Sequence, residues 1–238
     1  VHNGIMLKKI NNFYRSCLKF KKNGLPFVTS KIALSKDFFT INKNRKWITN
    51  EFSRGRVHLM RSNHDCIITS INTVIKDNPI LNCRIDGIRD LSPARIILDN
   101  NLRIPLNSNI VKTSNIHKTI IFFNKKNLKK IKKLKSLKIK TYRLPLNLQG
   151  NLDLTQSLLK AKKLGFSRIF LETGKKLFIN FLKENLVDDL KIFISNSNLN
   201  SVGRNNVKND LRLLLKNKKF YIEKVNLYGE TLKSYIIK

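Results

Sequence analysis

Cysteine is scarce in this chain, and its few cysteines are not arranged for metal binding or cross-linking. The 238 residues contain three, Cys17, Cys66 and Cys83, and no two of them form a C-x-x-C pair. This spacing excludes a disulfide framework and is typical of a reducing cytoplasm. The four histidines are scattered, so a closed zinc site lacks ligands. The H-x-E…P-C-x-x-C signature of zinc deaminases is also absent, and we expect no metal.

Acidic residues are scarce as well. Asp and Glu total 15 against 48 Lys and Arg, which gives a formal net charge of +33. Such a field attracts nucleic acids, anionic membranes and phosphorylated small molecules alike. Lys, Asn and Ile are abundant together and share A/T-rich codons, so genome composition offers an explanation that needs no polyanionic partner. We favour that explanation, and the charge alone assigns no function.

Long hydrophobic runs are missing too. No apolar stretch approaches the length that crosses a bilayer, and the first residues lack the layout of a secretory signal. Hydrophobic residues nevertheless make up 41% of the chain and charged residues 26%, as in ordinary folded domains. The length suffices for one well-buried core. We therefore expect a cytoplasmic globular protein with no membrane partner.

Strand and helix patterns alternate through most of the chain. Strands are predicted at 27–34, 66–71, 94–98, 118–123, 168–171 and 190–194, and helices at 49–61, 125–140, 153–164 and 176–184. The segment 195–209 is predicted to be a loop, and 220–237 alternates around Tyr228-Gly229 like a β-hairpin. This order predicts an α/β fold with a mostly parallel sheet flanked by helices, which the C-terminal antiparallel hairpin makes mixed.

We expect one domain, residues 26–238, preceded by a basic linker or leading helix at 1–25 that ends near Asn23-Gly24 and Pro26. The helix predicted at 125–140 is amphipathic and carries a basic face. That face is typical of a solvated surface, and the alternative is a nucleic-acid contact. The absence of aromatic residues that could stack on bases favours the surface interpretation.

Two segments follow predicted strands and could bind phosphate. In the first, residues 171–177, a strand ends, Gly174 permits close backbone approach, and a helix begins with free N–H groups. It is not a P-loop, because Ile169 and Lys176 replace the required Gly and Ser or Thr. In the second, residues 73–84, Arg84 could clamp a phosphate together with Arg61. The alternatives are a plain turn and two ordinary surface arginines.

Several motifs, in this order and spacing, resemble the pyrimidine reductase of riboflavin biosynthesis, which is usually the C-terminal half of a bifunctional deaminase–reductase. The resemblance covers about residue 11 to the end. Its motifs are Pro26-Phe27-Val28, Lys31-Ile32-Ala33-Leu34-Ser35-Lys36-Asp37, Trp47-Ile48-Thr49, Leu59-Met60-Arg61-Ser62-Asn63-His64-Asp65-Cys66-Ile67, Thr73-Val74, Asp77-Asn78-Pro79-Ile80-Leu81, Arg84, Pro93-Ala94-Arg95-Ile96-Ile97-Leu98-Asp99, Leu171-Glu172-Thr173-Gly174 and Leu186-Val187-Asp188-Asp189-Leu190.

The resemblance implies a dihydrofolate-reductase-like fold, a homodimer, and NADPH-dependent reduction of 5-amino-6-(5-phosphoribosylamino)uracil to its ribitylamino product, with the hydride going to C1′. The implied cofactor contacts are Ala33, Trp47, Thr73, Asp77, Asn100, Gly174, Lys175, Lys176, Leu177, Phe178, Ile179 and Asn180. The implied contacts to the phosphorylated pyrimidine substrate are Arg61, Leu81, Arg84 and Glu172. Residues 1–25 resemble the tail of a deaminase domain, so either the chain is truncated or a separate protein deaminates.

The sequence departs from the family pattern at three positions. Phe38 replaces a glycine, Arg45 stands where the family has a substrate-binding serine, and Lys175 replaces a proline. The proton donor is open between Asp77, Lys31 and water, and NADPH is not distinguished from NADH. Two other functions stay open: a basic nucleic-acid-binding module, and a reductase of another pteridine or pyrimidine. The reductase accounts for Trp47, Arg61, Thr73, Asp77, Arg84 and Glu172 together, which charge alone does not.

Overall fold

The computed structural model describes residues 14–21 and 24–238, so predictions for 1–13, 22 and 23 lie outside it. The strands are β1 (Phe27–Leu34), β2 (Phe39–Asn42), β3 (Cys66–Ser70), β4 (Ala94–Leu98), β5 (Thr119–Phe123), β6 (Lys140–Arg143), β7 (Arg168–Glu172), β8 (Asp189–Ile194), β9 (Gly203–Asn206), β10 (Phe220–Ile222) and β11 (Thr231–Ile236). The helices are α1 (14–21), α2 (Glu51–Ser62), α3 (Ile71–Asp77), α4 (Asn109–Lys112), α5 (Leu128–Ser136), α6 (Leu154–Lys163), α7 (Lys175–Lys183) and α8 (Lys208–Leu214).

Nine strands form one mixed sheet in the order β10-β11-β8-β1-β7-β3-β4-β5-β6. The strands from β8 to β6 run parallel to their neighbours, and the hairpin β10–β11 adds to β8 in the antiparallel direction. The predicted fold, a mostly parallel sheet made mixed by a C-terminal hairpin, is confirmed. The hairpin turn includes Tyr228 and Gly229, both with positive φ.

The central strands are buried on both faces, which explains their continuous apolar runs. In β5, Ile120 and Phe122 pack toward α6, α7 and α8, whereas Ile121 and Phe123 pack toward α2, α3, α4 and α5. Helices therefore cover both faces of the sheet, and each face has its own hydrophobic core. α1 docks next to the first residue of β8 through the ion pairs Arg15–Asp189 and Lys19–Asp188.

Several elements differ from the prediction. The run predicted as a strand to residue 71 ends at Ser70, which caps α3 by accepting a hydrogen bond from the Thr73 N–H. The helix predicted at 125–140 covers only Leu128–Ser136, and β6 begins at Lys140. The segment predicted as a loop at 195–209 contains β9, which pairs with the unpredicted β2 as a second small sheet. In the described ranges, no helix is long and apolar enough to cross a membrane.

Candidate active site

A cleft of about 1230 Å³ opens at the carboxyl ends of the parallel strands. Its walls come from the ends of β1, β3, β4 and β7, from α2 and α3, and from the N-terminus of α7. Ligands of parallel α/β sheets bind at this edge, because the loops after the strands supply polar groups there. Both segments that the sequence marked for phosphate binding, 73–84 and 171–177, lie in this one cleft.

The structure brings together nearly every residue that the resemblance implies. The implied residues that line the cleft are Ala33, Trp47, Arg61, Thr73, Asp77, Leu81, Arg84, Asn100, Glu172, Gly174, Lys175, Lys176, Leu177, Ile179 and Asn180. Phe178 does not line the cleft. Its side chain is fully buried in the core between the sheet and α7, because it lies on the inward face of that helix. Any direct contact of Phe178 with a ligand in the cleft can therefore come only from its backbone.

Glu172 and Arg61 form a bidentate ion pair on the floor of the cleft. Arg61 donates from Nε to Glu172 Oε2 at 3.0 Å and from Nη2 to Oε1 at 2.8 Å. The cleft also contains Lys31, which pairs with Glu172 in the register of β1 and β7. Burial acts to raise the pKa of Glu172, but Arg61 and Lys31 outweigh it and hold that pKa at about 2. Glu172 is therefore a fixed carboxylate that can accept hydrogen bonds.

Lys31 is a half-buried cation with a lowered pKa. Burial is the main cause of the lowering, Glu172 opposes it, and Arg61 adds to it. The lysine thus holds its proton less tightly than a surface lysine does. Asp77, an exposed residue of the cleft wall, shows the opposite shift, because partial desolvation of its carboxyl raises its pKa against the effect of Lys76 and Lys46. Both side chains that the sequence offered as proton donors therefore line the cleft with shifted pKa values.

Arg84 is a further cation of the cleft, and its side chain is held differently from that of Arg61. Arg84 donates from Nε to His58 Nε2 at 3.2 Å. Within the described residues, no hydrogen-bond partner is found for its Nη1 or Nη2. Arg61, in contrast, is buried and uses three nitrogens on Glu172 and the Asn82 carbonyl. Of the two arginines that the sequence offered as a phosphate clamp, Arg84 therefore has a free guanidinium edge among the described residues, whereas Arg61 is engaged with Glu172 and Asn82.

The N-terminus of α7 opens into the cleft without a side-chain cap. Across the described part of the chain, no acceptor is found for the N–H groups of Lys175, Lys176 and Leu177. A side chain at Gly174 would meet nothing within 4 Å, so the space in front of the helix is open. The buried Thr173 hydroxyl has no partner either. These donors and the positive helix end fit the phosphate groups of a dinucleotide.

Lys175 is engaged away from this opening. Its Nζ contacts Asp210 Oδ2 at 2.9 Å and the Asn206 carbonyl at 2.6 Å, which ties α7 to α8 and β9. Lys176 is exposed and has no ion-pair partner among the described residues. The lysine that replaces the family's proline is therefore a bridge between elements, and Lys176 is the freer cation.

The remaining implied cofactor contacts lie on the other walls. Thr73 bonds to the cap residue Ser70, and Asn100 donates to the Gly150 carbonyl at 3.2 Å, while its buried Oδ1 has no partner among the residues that the structure describes. Trp47 is 52% exposed at the mouth, with Lys46 and Arg54 over its ring. An exposed indole at a cleft mouth is available for stacking on a planar ligand.

Sequence reasoning missed several residues of the cleft. His58 was one of four scattered histidines, and its contacts with Asn82 and Arg84 depend on tertiary packing. Additional cations also line the cleft, namely Lys46, Arg54, Lys76, Arg103 and Arg204. No motif marks them, since lysine and arginine occur throughout this chain. Arg45, which replaces a substrate-binding serine of the family, is exposed and does not line the cleft.

In the segments that the structure describes, no cluster of three His, Cys, Asp or Glu side chains could hold a metal ion. The cleft is lined mainly by lysine, arginine, asparagine and hydroxyl side chains and by the uncapped N–H donors of α7. Of its four carboxylates, Glu172 is paired to Arg61 and Asp210 to Lys175, and the other two are Asp77 and Glu184. This donor set fits anionic, phosphorylated ligands.

The chain resembles curated proteins over most of its length. The riboflavin biosynthesis protein RibD of Aquifex aeolicus is 32% identical over 172 residues, which are 71% of this chain and 46% of that protein. RibD of Bacillus amyloliquefaciens is 28% identical over 198 residues, which are 82% of this chain and 52% of that protein. The chain thus spans about half the length of the curated relatives it matches.

Solved structures show the same fold. RibD of Acinetobacter baumannii superposes with a TM-score of 0.78 at 24% identity, covering 95% of this chain and 62% of that one. The riboflavin biosynthesis reductase Rib7 of Saccharomyces cerevisiae superposes with a TM-score of 0.70 at 18% identity, covering 95% and 98%. The family model of the RibD C-terminal domain matches residues 26–200, and the chain therefore belongs to the RibD C-terminal domain family.

Proposed function

We propose that this chain uses NADPH to reduce 5-amino-6-(5-phosphoribosylamino)uracil to its ribitylamino product, a step of riboflavin biosynthesis. The cleft carries this proposal. It joins an uncapped helix N-terminus, a free arginine edge and an ionised carboxylate, which come from segments far apart in the sequence. Membership in the RibD C-terminal domain family supports the same reaction.

The cofactor would supply the hydride, and the residues of this chain would hold and orient it. We assign its phosphates to the N-terminus of α7, where Gly174 allows close approach and Lys176 adds charge. The other walls, with Ala33, Trp47, Thr73, Asp77 and Asn100, would contact the rest of the dinucleotide. Leu177, Ile179 and Asn180 extend the same surface along α7, and Phe178 supports it from the core.

The substrate is a phosphate ester, and Arg84 is suited to its phosphate because a guanidinium edge matches two phosphate oxygens. Leu81 presents an apolar contact, and Glu172 would accept hydrogen bonds from ribose hydroxyls or from the pyrimidine. Arg61 keeps that carboxylate ionised and in place. Its contribution to substrate binding is then mainly indirect.

Reduction at C1′ also requires a proton. Of the two side chains considered, we favour Lys31, because burial lowers its pKa and makes the ammonium a better acid near neutral pH. Asp77 is the alternative, since its raised pKa retains a proton to higher pH than an ordinary aspartate does.

We further propose that this protein is a cytoplasmic enzyme and that a deaminase supplies its substrate. The deaminase would be either a domain of the same chain or a separate protein. We also propose a homodimer. One of the two edge strands of the sheet, β10, exposes about half of each of Phe220, Tyr221 and Ile222. An unpaired edge with apolar side chains is suited to pairing with a second copy.

The test is substrate-dependent oxidation of NADPH by the purified protein, followed by absorbance, with NADH compared in parallel. We expect Arg84→Ala to raise KM for the phosphorylated substrate about tenfold or more, because a charge-assisted contact is lost. Arg89→Ala is the matched control, since Arg89 lies outside the cleft and forms an ion pair with the exposed Asp86.

Two outcomes would contradict the proposal: no turnover together with no NADPH binding, or an equal effect of Arg84→Ala and Arg89→Ala. Dihydrofolate is offered as a competing substrate. Faster turnover of dihydrofolate than of the phosphoribosylaminouracil would favour a reductase of another pteridine.

A further inference from the structure

His58 lies between Arg61 and Arg84 in the cleft and contacts both of them. Its Nε2 is 3.2 Å from Arg84 Nε, and its Nδ1 is 3.0 Å from the Asn82 carbonyl oxygen and 3.3 Å from Arg61 Nη1. That carbonyl also accepts a hydrogen bond from Arg61 Nη1 at 2.9 Å. One ring on α2 therefore links Arg84 to the backbone that also holds Arg61.

The protonation state of His58 follows from its partners. Arg84 Nε can only donate, so the Nε2 of His58 must accept and carries no proton. The ring proton is then on Nδ1, and the Asn82 carbonyl accepts it at 3.0 Å. Arg61 Nη1 also approaches Nδ1 to 3.3 Å, but two donors cannot bond to each other, so Arg61 Nη1 donates to the Asn82 carbonyl instead. A neutral ring agrees with the pKa, which burial and the nearby Arg61 and Arg84 lower to about 4. A positively charged ring would have no lone pair for Arg84.

This contact decides where Arg84 points. Arg84 is exposed, and in the described part of the molecule His58 provides its only hydrogen bond. Without it, the side chain is free to leave the cleft, since exposed arginines populate many rotamers. With Nε held, the Nη1 and Nη2 edge is the part left for a ligand. The Asn82 side-chain oxygen, buried and without a partner, lies on the same wall.

We infer that His58 is a positioning residue that holds the Arg84 guanidinium ready for the substrate's phosphate. This inference rests on the proposed function, in which the substrate is a phosphate ester. His58 does not touch the reacting atoms. It acts through Arg84, so its removal should weaken phosphate binding by about as much as removal of Arg84 itself.

Two substitutions separate this role from a merely structural one. In His58→Asn the amide can still donate to the Asn82 carbonyl, but nothing reaches Arg84. In His58→Gln the longer side chain can still accept from Arg84 Nε. If His58 positions Arg84, His58→Asn weakens phosphate binding and His58→Gln retains it. If it only braces the Asn82 backbone, Asn is the better replacement.

Calorimetry measures the binding of ribose 5-phosphate to five proteins: wild type, His58→Asn, His58→Gln, Arg84→Ala and the double variant His58→Asn/Arg84→Ala. Urea unfolding checks that each variant folds. We expect about tenfold weaker binding for His58→Asn and for Arg84→Ala, no further loss in the double variant, and near-wild-type binding for His58→Gln. Additive losses, unchanged binding in His58→Asn, or no binding by wild type would overturn the inference.

A spectroscopic measurement supplies a second readout that does not need any ligand. The chain has four histidines, so isotope-labelled imidazole nitrogens can be assigned with His58→Asn as reference. We expect the wild-type His58 to be the Nδ1–H tautomer and its Nε2 signal to shift in Arg84→Ala. An unshifted signal would reject the contact. Normal sugar-phosphate binding without NADPH oxidation would instead count against the proposed reductase and leave the role of His58 standing.

Discussion

His64 is a histidine whose environment penalises its charge. It contacts the Met60 carbonyl through Nδ1 at 2.6 Å, while its buried Nε2 has no partner in the described structure. Its ring is tilted against Phe170, with the centroids 5.0 Å apart. Burial, aided by Arg168, lowers its pKa to about 4, although the contact with Met60 opposes the shift. This residue should couple folding to pH.

We predict that the protein loses stability as pH falls from about 6.5 to about 4. In this window the unfolded state binds a proton at His64 and the folded state does not, so the free energy of unfolding decreases. His64 contributes at most about 3 kcal/mol of this change. His64→Asn keeps a donor for the Met60 carbonyl and cannot titrate, so its unfolding free energy should depend less on pH.

Urea unfolding at several pH values measures this difference, and the values above pH 7 give the cost of the substitution without titration. Parallel pH curves for wild type and His64→Asn would show that His64 does not carry the effect.

Individual roles in the cleft were only partly predictable. The motif order marks Arg61, Arg84 and Glu172, and all three line the cleft. The sequence does not show that Arg61 is committed to Glu172, because the two are 111 residues apart and meet only when α2 packs on β7. His58 could not be distinguished from any other histidine for the same reason.

At the scale of elements, the turn between β1 and β2 departs most clearly from the family. Phe38 occupies the glycine position of that turn and adopts φ of 70°, a left-handed conformation that costs an ordinary residue free energy. The turn is nevertheless well anchored. Asp37 accepts hydrogen bonds from the N–H groups of Leu199 and Asn200, and the Phe38 ring packs against the core. Packing and anchoring offset the backbone strain.

We predict that Phe38→Gly is more stable than Phe38→Ala by about 1 kcal/mol. Both variants lose the ring, and only alanine keeps the left-handed penalty. Lys36 is the matched control in the same turn, because it is exposed and lies outside the positive-φ set. There, alanine should be at least as stable as glycine. Urea midpoints of Phe38→Gly, Phe38→Ala, Lys36→Gly and Lys36→Ala measure these differences. Equal stability of the two Phe38 variants would contradict backbone strain at this position.

The strands that alternate with helices were predictable because continuous apolar runs report burial on both faces of the sheet. The β2–β9 pair and α3 were not. β2 alternates apolar and polar residues over only four positions, FTIN, which is too short to stand out, and β9, GRNN, contains no apolar side chain. In α3 the sequence INTVIKD is rich in β-branched residues, and the cap at Ser70 together with packing of Ile71 and Val74 overrides that propensity.

On the scale of the whole molecule, the lysines and arginines behind the net charge of +33 lie outside the cleft as well as inside it. α5 buries Leu134 against the sheet and exposes its lysines to solvent, apart from the half-buried Lys130, away from the cleft. The surface interpretation of the basic helix fits this placement. The general field would still draw polyanions to the protein at low salt.

We therefore predict that polynucleotide binding depends on total charge and not on α5. Two quadruple Lys→Gln variants lower the net charge equally, from +33 to +29. One carries the substitutions in α5, at Lys129, Lys130, Lys132 and Lys133, and the other carries them at scattered exposed sites, Lys112, Lys163, Lys216 and Lys224. Filter binding of single-stranded DNA across a salt series should show equal weakening in both, because no localised contact is lost. A much larger loss in the α5 variant, with a salt slope reduced by about 0.7 for each lysine removed, would instead identify α5 as a nucleic-acid contact and restore that function as a rival.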